Sequence, residues 1–322
     1  MEAIAKYAHY LETELQKLDF PATPGNLYDP LRYFMTLGGK RIRPMLTLLG
    51  AELFGTAGEK AIHAALSVEI FHNFSLIHDD IMDEAPLRRK QPTVHTRWNN
   101  NVAILSGDVL LVKAYQEICK QATEVLPELM QVFNQTAVEV CEGQQHDMDF
   151  EKESTVSIPA YIEMIRLKTS VLLGCALQMG AIVAGASTAD QQLIYEFGQH
   201  IGIAFQIQDD ILDLYADPEK FGKQVGGDVI ANKKTLLLLK AFEMADEQQS
   251  AKLNHLLTVQ NTTEKIIGVR TIFDEIGVQA AARKIMDKHT ALAMEALAAI
   301  DVHEEKKQPL LELSDFLLVR EF

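Results

Sequence analysis

Nearly every stretch of this 322-residue chain repeats its apolar residues with helical period, and alternation long enough for a strand is hard to find. AIHAALSVEIFHNFSLIHDDIMDE, AYIEMIRLKTSVLLGCALQ and KKTLLLLKAFEMADEQQSAKLNHLL are examples. Pro and Gly punctuate the pattern at FPATPGNLYDP (20–30), LGGKRIRP (37–44), EAPLRRKQP (84–92) and ADPEKFGKQVGGD (216–228), each short enough to be a turn between helices. With 48% hydrophobic residues and no low-complexity tract, the expectation is one all-α domain over residues 1–322, a bundle of ten or more helices around a shared core.

The net charge of −15 argues against nucleic acid or an anionic membrane surface as partner, since both demand a basic face. It leaves room for an anionic small molecule bound through metal ions. Cys119, Cys141 and Cys175 are far apart and form no C-x-x-C spacing, which suits a reducing interior. The first residues, MEAIAKYAHYLETELQKLDF, are charged and helix-periodic rather than signal-like, so a cytoplasmic location is expected. Thr169–Ala189 carries no charge and is long enough to cross a bilayer. Its Gly174, Gly180 and Gly185 and its lack of aromatic anchors read instead as a closely packed core helix, with no membrane span.

Two segments repeat each other: Ile77-His78-Asp79-Asp80-Ile81-Met82-Asp83 and Ile207-Gln208-Asp209-Asp210-Ile211-Leu212-Asp213. On a helix the three aspartates of each fall within roughly a 100° arc. Like charges so placed destabilise the helix and push carboxylate pKa values up. A divalent cation removes the conflict, and hard oxygen donors suit Mg²⁺, which fills its shell with water and substrate phosphates. A single such cluster would read as a solvated acidic face. Two copies on otherwise apolar helices, each beside a basic turn, read as a metal-binding device.

The basic residues complete the pattern. Lys40, Arg41 and Arg43 stand in GGKRIRP, Arg88 and Arg89 follow the first acidic cluster, and Lys168, Lys223 and Lys233 lie in the second half. Arg and Lys in short turns between apolar helices suit phosphate oxygens. The expected ligand therefore has one anionic group held through metal and another held directly.

These motifs resemble the trans-isoprenyl diphosphate synthases of the polyprenyl synthetase family. GGKRIRP, DDIMD with the arginine pair, GQQHD (143–147), LKT (167–169), FQIQDDILD and GK…GGD…NKKT occur in the family's order from about Leu31 to Thr235. The resemblance implies an isoprenoid synthase-type helical bundle around a central cavity. It implies that Asp79, Asp83 and Asp209 bind three Mg²⁺ ions holding an allylic diphosphate, with Asp80, Asp210 and Asp213 in support. Arg88, Lys168, Lys233 and Lys223 would contact that diphosphate. Lys40, Arg43, His72 and Arg89 would bind isopentenyl diphosphate, and Gln144, Asp147, Thr169, Gln206 and Asp228 would line the site. A homodimer is expected on the same ground.

Product length in the family is limited just upstream of the first acidic cluster. Phe74 stands at the fifth position before Asp79 and small Ser75 at the fourth, without the two-residue insertion of many bacterial farnesyl synthases. That combination resembles synthases of geranylgeranyl diphosphate, with farnesyl diphosphate the close alternative. A helical wheel puts Ser75 and Phe71 about 40° and 80° from Asp79 but Phe74 about 140° away, so Phe74 reaches a tail pocket only on its own side of the helix. Phe71 reads equally as core or pocket.

Rival readings explain less. An HD-type phosphohydrolase, suggested by His78-Asp79 and His72, leaves the second acidic cluster and the basic turns idle. A terpene cyclase needs no second DDxxD and no isopentenyl site. A non-catalytic prenyl-diphosphate-binding subunit would typically lose the aspartates kept here. A di-iron carboxylate site fails because Glu142 and His146 are four apart and have no second copy.

Overall fold

The computed structural model describes residues 2–216 and 225–318. Lys223 and most of the 216–228 turn lie outside the described residues, as do the last four residues. Described helices alternate with short turns from Glu2–Leu15 to Glu304–Leu318, and the sole sheet among them is a two-stranded hairpin, so the chain is all-α. Its backbone forms two compact units. One holds the residues up to Gln135 with Cys175–Tyr195 and Asp301–Leu310; the other holds Thr136–Gly174, Glu196–Ile300 and the chain from Leu311.

In the first unit the helix Ile62–Met82 is the axis. Its residues 64–71 are buried on all sides, and it packs against Ile42–Leu53 and Asn100–Ile118. A helix apolar all round belongs in a core. Asn99 caps Asn100–Ile118, its side-chain oxygen accepting the Val102 N–H at 2.9 Å. The uncharged 169–189 stretch forms the helix Val171–Val183, and 78% of the most apolar 18-residue window of the longer span Ile158–Val183 is buried. A Cβ on Gly180 would stand 2.1 Å from the Thr47 carbonyl oxygen, so the small residues of this stretch let two helices touch through their backbones.

In the second unit the helix Thr188–Tyr215 supplies Ile203, Ile207, Ile211 and Leu214, spaced for one face, to a core shared with Leu236, Leu237, Leu253 and Phe273. His200 and His289 lie in this unit with their Nδ1 atoms 3.1 Å apart, tying Thr188–Tyr215 to Val278–Ala299. Burial holds the His289 imidazole down to about 4, helped by the charges of His200 and Lys288.

Candidate active site

Both acidic clusters sit at the C-terminal ends of helices. Asp79 and Asp80 occupy the last turn of Ile62–Met82 with Asp83 as its C-cap, and Asp209, Asp210 and Asp213 occupy the last two turns of Thr188–Tyr215. Carboxylates there face outward-pointing carbonyls and the negative end of the helix dipole. The helix ends thus demand a cation more strongly than the spacing alone. Among the described residues no three His, Cys, Asp or Glu side chains close around a point to form a protein-only cage. Carboxylate oxygens are the hard donors that suit Mg²⁺, which takes one or two of them and leaves the remaining positions to water and phosphate.

The middle aspartate differs from its neighbours in both clusters. Asp80 and Asp210 are buried, while Asp79, Asp209 and Asp213 are half-buried and Asp83 is exposed. Asp80 follows buried Ile77 by three positions and Asp210 follows buried Ile207 by three, so each sits at the edge of the apolar stripe. Asp80 accepts Arg88 Nε at 2.8 and 2.9 Å and pairs with its second nitrogen at 2.7 Å. Burial nonetheless raises its pKa. Asp210 accepts the Tyr161 hydroxyl, the Leu236 N–H at 3.3 Å and Gln206 Nε2 at 3.4 Å. With neutral donors alone, burial and the Asp228 charge push it to about 7. Asp213 accepts the Asp228 N–H at 3.0 Å, fixing the start of the short helix Gly227–Ile230.

The first unit gathers most of the expected isopentenyl set. Arg43 donates to His72 Nε2 at 3.2 Å, and the Arg89 guanidinium lies against Gly39, whose added Cβ would be 2.9 Å from it. Lys40 is exposed in the same turn. Burial, then the positive charges of Arg43, Arg89, Arg88 and Arg41, hold His72 well below the ordinary histidine range, so it accepts as a neutral ring. Burial also lowers Arg43, to about 10, and its Nε is buried without a hydrogen-bond partner. An unused buried donor among cations is the state that a phosphate oxygen would satisfy. Arg41 points elsewhere, buried in an ion pair with Glu69 Oε1 at 2.5 Å.

Arg89 is placed by strain. Leu87–Arg88 and Gln91–Pro92 pair as Leu87↔Pro92 and Arg88↔Gln91, leaving a two-residue turn with Arg89 at φ 52° and Lys90 at φ 65°. Two positive φ values make a type I′ turn, which normally selects Asn and Gly. Here charged residues occupy both positions, at a cost of order 1–3 kcal/mol each.

In the second unit Asp147 accepts Lys168 Nζ at 2.6 Å, and Lys233 Nζ lies 3.8 Å from the same oxygen. Burial would raise Asp147, but Lys233 and Lys168 outweigh it and hold the carboxyl below its usual range. Lys168 and Thr169 stand in a π-helical turn, Arg166–Ser170, between Ile158–Ile165 and Val171–Val183. Such turns are frequent at functional sites. The turn is gripped from two sides. A Cβ on Gly143 would meet Lys168 N at 2.2 Å, and one on Gly202 would meet Ser170 Cα at 2.7 Å. Thr169 donates to Gln206 at 3.4 Å. Beside Gly143, both polar atoms of the Gln144 amide are buried without a hydrogen-bond partner. A cavity lined by Asp210, Asp213, Asp228, Asn232 and Lys233 opens nearby.

Phe74 is buried, and its ring lies 4.7 Å from His78 and 5.5 Å from Phe71. Phe71 is fully buried against Phe133 at 5.3 Å, and Ser75 donates to the His72 carbonyl at 2.9 Å. Sequence reasoning missed Tyr161 and Glu69. A tyrosine in an apolar helix and a glutamate in an apolar run each signal a buried partner, though not which one. The rival histidine readings lose ground: His78 Nε2 is 3.2 Å from the Ile104 carbonyl oxygen, and Glu142 and His146 are exposed.

Comparison with known proteins agrees with this architecture. Residues 24–300 match the polyprenyl synthetase family. The chain is 36% identical to a short chain isoprenyl diphosphate synthase of Methanothermobacter thermautotrophicus over 100% of this chain and 98% of that protein. It is 36% identical, with the same coverage, to a geranylgeranyl diphosphate synthase of Methanosarcina mazei. A crystal structure of a geranylgeranyl pyrophosphate synthase superimposes with a TM-score of 0.94 at 43% identity, covering 98% of both chains. The chain belongs to the polyprenyl synthetase family and is a prenyltransferase. It condenses isopentenyl diphosphate with an allylic diphosphate to a trans-prenyl diphosphate, the reaction of a family that uses Mg²⁺.

Proposed function

We propose that the product is geranylgeranyl diphosphate, with both units acting on it as one catalytic domain. The observation that carries the length assignment is Phe74, five residues before Asp79, buried and flanked by two rings, with the small Ser75 beside it. Farnesyl diphosphate is the alternative product.

Asp79, Asp83 and Asp209 would hold three Mg²⁺ ions, with Asp80, Asp210 and Asp213 in support. The bound ions would supply Lewis-acid stabilisation of charge on the departing pyrophosphate. Lys168 and Lys233 exchange Asp147 for allylic diphosphate oxygens, joined by Arg88 and Lys223, so that positive charge meets the leaving group as the C–O bond breaks. Arg43, neutral His72, Arg89 and Lys40 bind the isopentenyl diphosphate and aim its double bond at the allylic carbon. The double-bond electrons form the new C–C bond, and a proton is lost to the released pyrophosphate. Gln144, Asp147, Thr169, Gln206 and Asp228 would line the site, and Phe71 packs against Phe74.

A homodimer and a cytoplasmic setting complete the reading. Leu105 and Val112, seven residues apart on Asn100–Ile118, are exposed apolar side chains on one face, with Ile104 adjoining. None of the three cysteines forms a disulfide.

The test offers labelled isopentenyl diphosphate with dimethylallyl, geranyl or farnesyl diphosphate, with and without Mg²⁺, and sizes the dephosphorylated products. Metal-dependent elongation ending at twenty carbons is the expected result. Ending at fifteen, or running well past twenty, overturns the length assignment.

A further inference from the structure

His78 plays no part in the site described above, yet its ring is closely held. It fills the space over Gly107 on the Asn100–Ile118 helix: the three atoms nearest to a Cβ added there all belong to His78, the closest being Nε2 at 2.3 Å. The same nitrogen lies 3.2 Å from the Ile104 carbonyl oxygen and 3.8 Å from Asp108 Oδ1. The other side of the ring meets Phe74 edge to face, with centroids 4.7 Å apart and planes at 64°. The Phe71 ring lies 5.5 Å from that of Phe74, tilted at 50° to it. His78 is four residues after Phe74 and Phe71 three before, so the two rings cover Phe74 from the turns above and below on the same helix.

We propose that His78 is a positioning residue for product length: docked over Gly107, its ring holds Phe74 in the orientation that stops the growing chain. The inference rests on the reading of Phe74 as the stop. It needs only the ring and its shape, since the His78 ring meets Phe74 edge to face. Gly107 is the counterpart on the facing helix, because any side chain there would displace the imidazole and free Phe74 on one side. If His78 merely fills space between two helices, its loss would lower stability and leave the products alone.

The experiment sizes the products of Phe74→Ala, His78→Ala, His78→Phe and Gly107→Ala, with farnesyl diphosphate, labelled isopentenyl diphosphate and Mg²⁺. Expected are longer products from Phe74→Ala and an at least severalfold rise in products beyond the wild-type limit from His78→Ala. Gly107→Ala should reproduce that rise, and His78→Phe should return the distribution to wild type. A wild-type distribution from His78→Ala, while Phe74→Ala lengthens, overturns the inference and spares the reading of Phe74. An unchanged distribution from Phe74→Ala removes that reading, and the inference with it. Should His78→Ala fail to fold, Gly107→Ala decides: wild-type products from it overturn the proposal.

Discussion

The two acidic helices are near twins in sequence and unlike in their electrostatics. Each sets its outer aspartates toward the accessible side and turns its middle one inward, because Ile77 and Ile207 put positions 80 and 210 at the edge of an apolar stripe. In the first unit the inward carboxylate is answered by a guanidinium eight residues later, Arg88. In the second it is answered by a phenol, a helix N-terminal N–H and an amide. A repeated motif therefore fixes where carboxylates stand but not their charge. Charge is decided by whatever the rest of each unit brings up against the buried member.

The largest effect should come where the two helices act alike. Asp79→Ala and Asp209→Ala should each lower turnover by on the order of a thousandfold or more, with circular dichroism and unfolding midpoint little changed. Near-normal turnover in one of them would break the symmetry of the outer aspartates. A smaller effect sharpens the contrast between the inner ones. Asp80→Asn strips a charged partner from Arg88 and should cost about 2 kcal/mol in urea unfolding of the metal-free protein. Asp210→Asn keeps an acceptor for Tyr161 and removes a buried charge, so its cost should be within about 1 kcal/mol of zero. Equal losses in the two variants would mean that the partners do not matter.

The smallest effect concerns histidines that both units keep neutral, His72 among arginines and His289 beside His200. Depressed in the folded protein, the His289 ring takes up its proton near pH 4, whereas the unfolded chain does so near the ordinary 6.5. Its contribution is complete above about pH 6.5 and is lost as pH falls toward 4. The unfolding midpoint should therefore drop less steeply across that window in His289→Gln than in the wild type. Parallel curves would show that the pair does not titrate as described.

Helical period made the fold legible, and the repeated aspartates pointed to a family that uses Mg²⁺. Both depend on residues near one another in the chain. What stayed hidden was set by distant partners or by backbone. GGKRIRP offers three cations without showing that Arg41 turns inward to Glu69 while Arg43 meets His72. EAPLRRKQP reads as a plain turn because Arg and Lys give no sign of a type I′ geometry. LKT reads as mid-helix, since a π-helical turn has no composition of its own.

That turn constrains how sequences of this kind can drift. Gly143 and Gly202 have no side chain to offer a substrate, yet any side chain larger than hydrogen at either would push on the backbone that carries Lys168 or Ser170. Ranking positions by their distance to a ligand would score both as permissive. In a library selected for activity they should be as intolerant as the aspartates, marking a second class of invariant position whose contribution is the space it leaves empty.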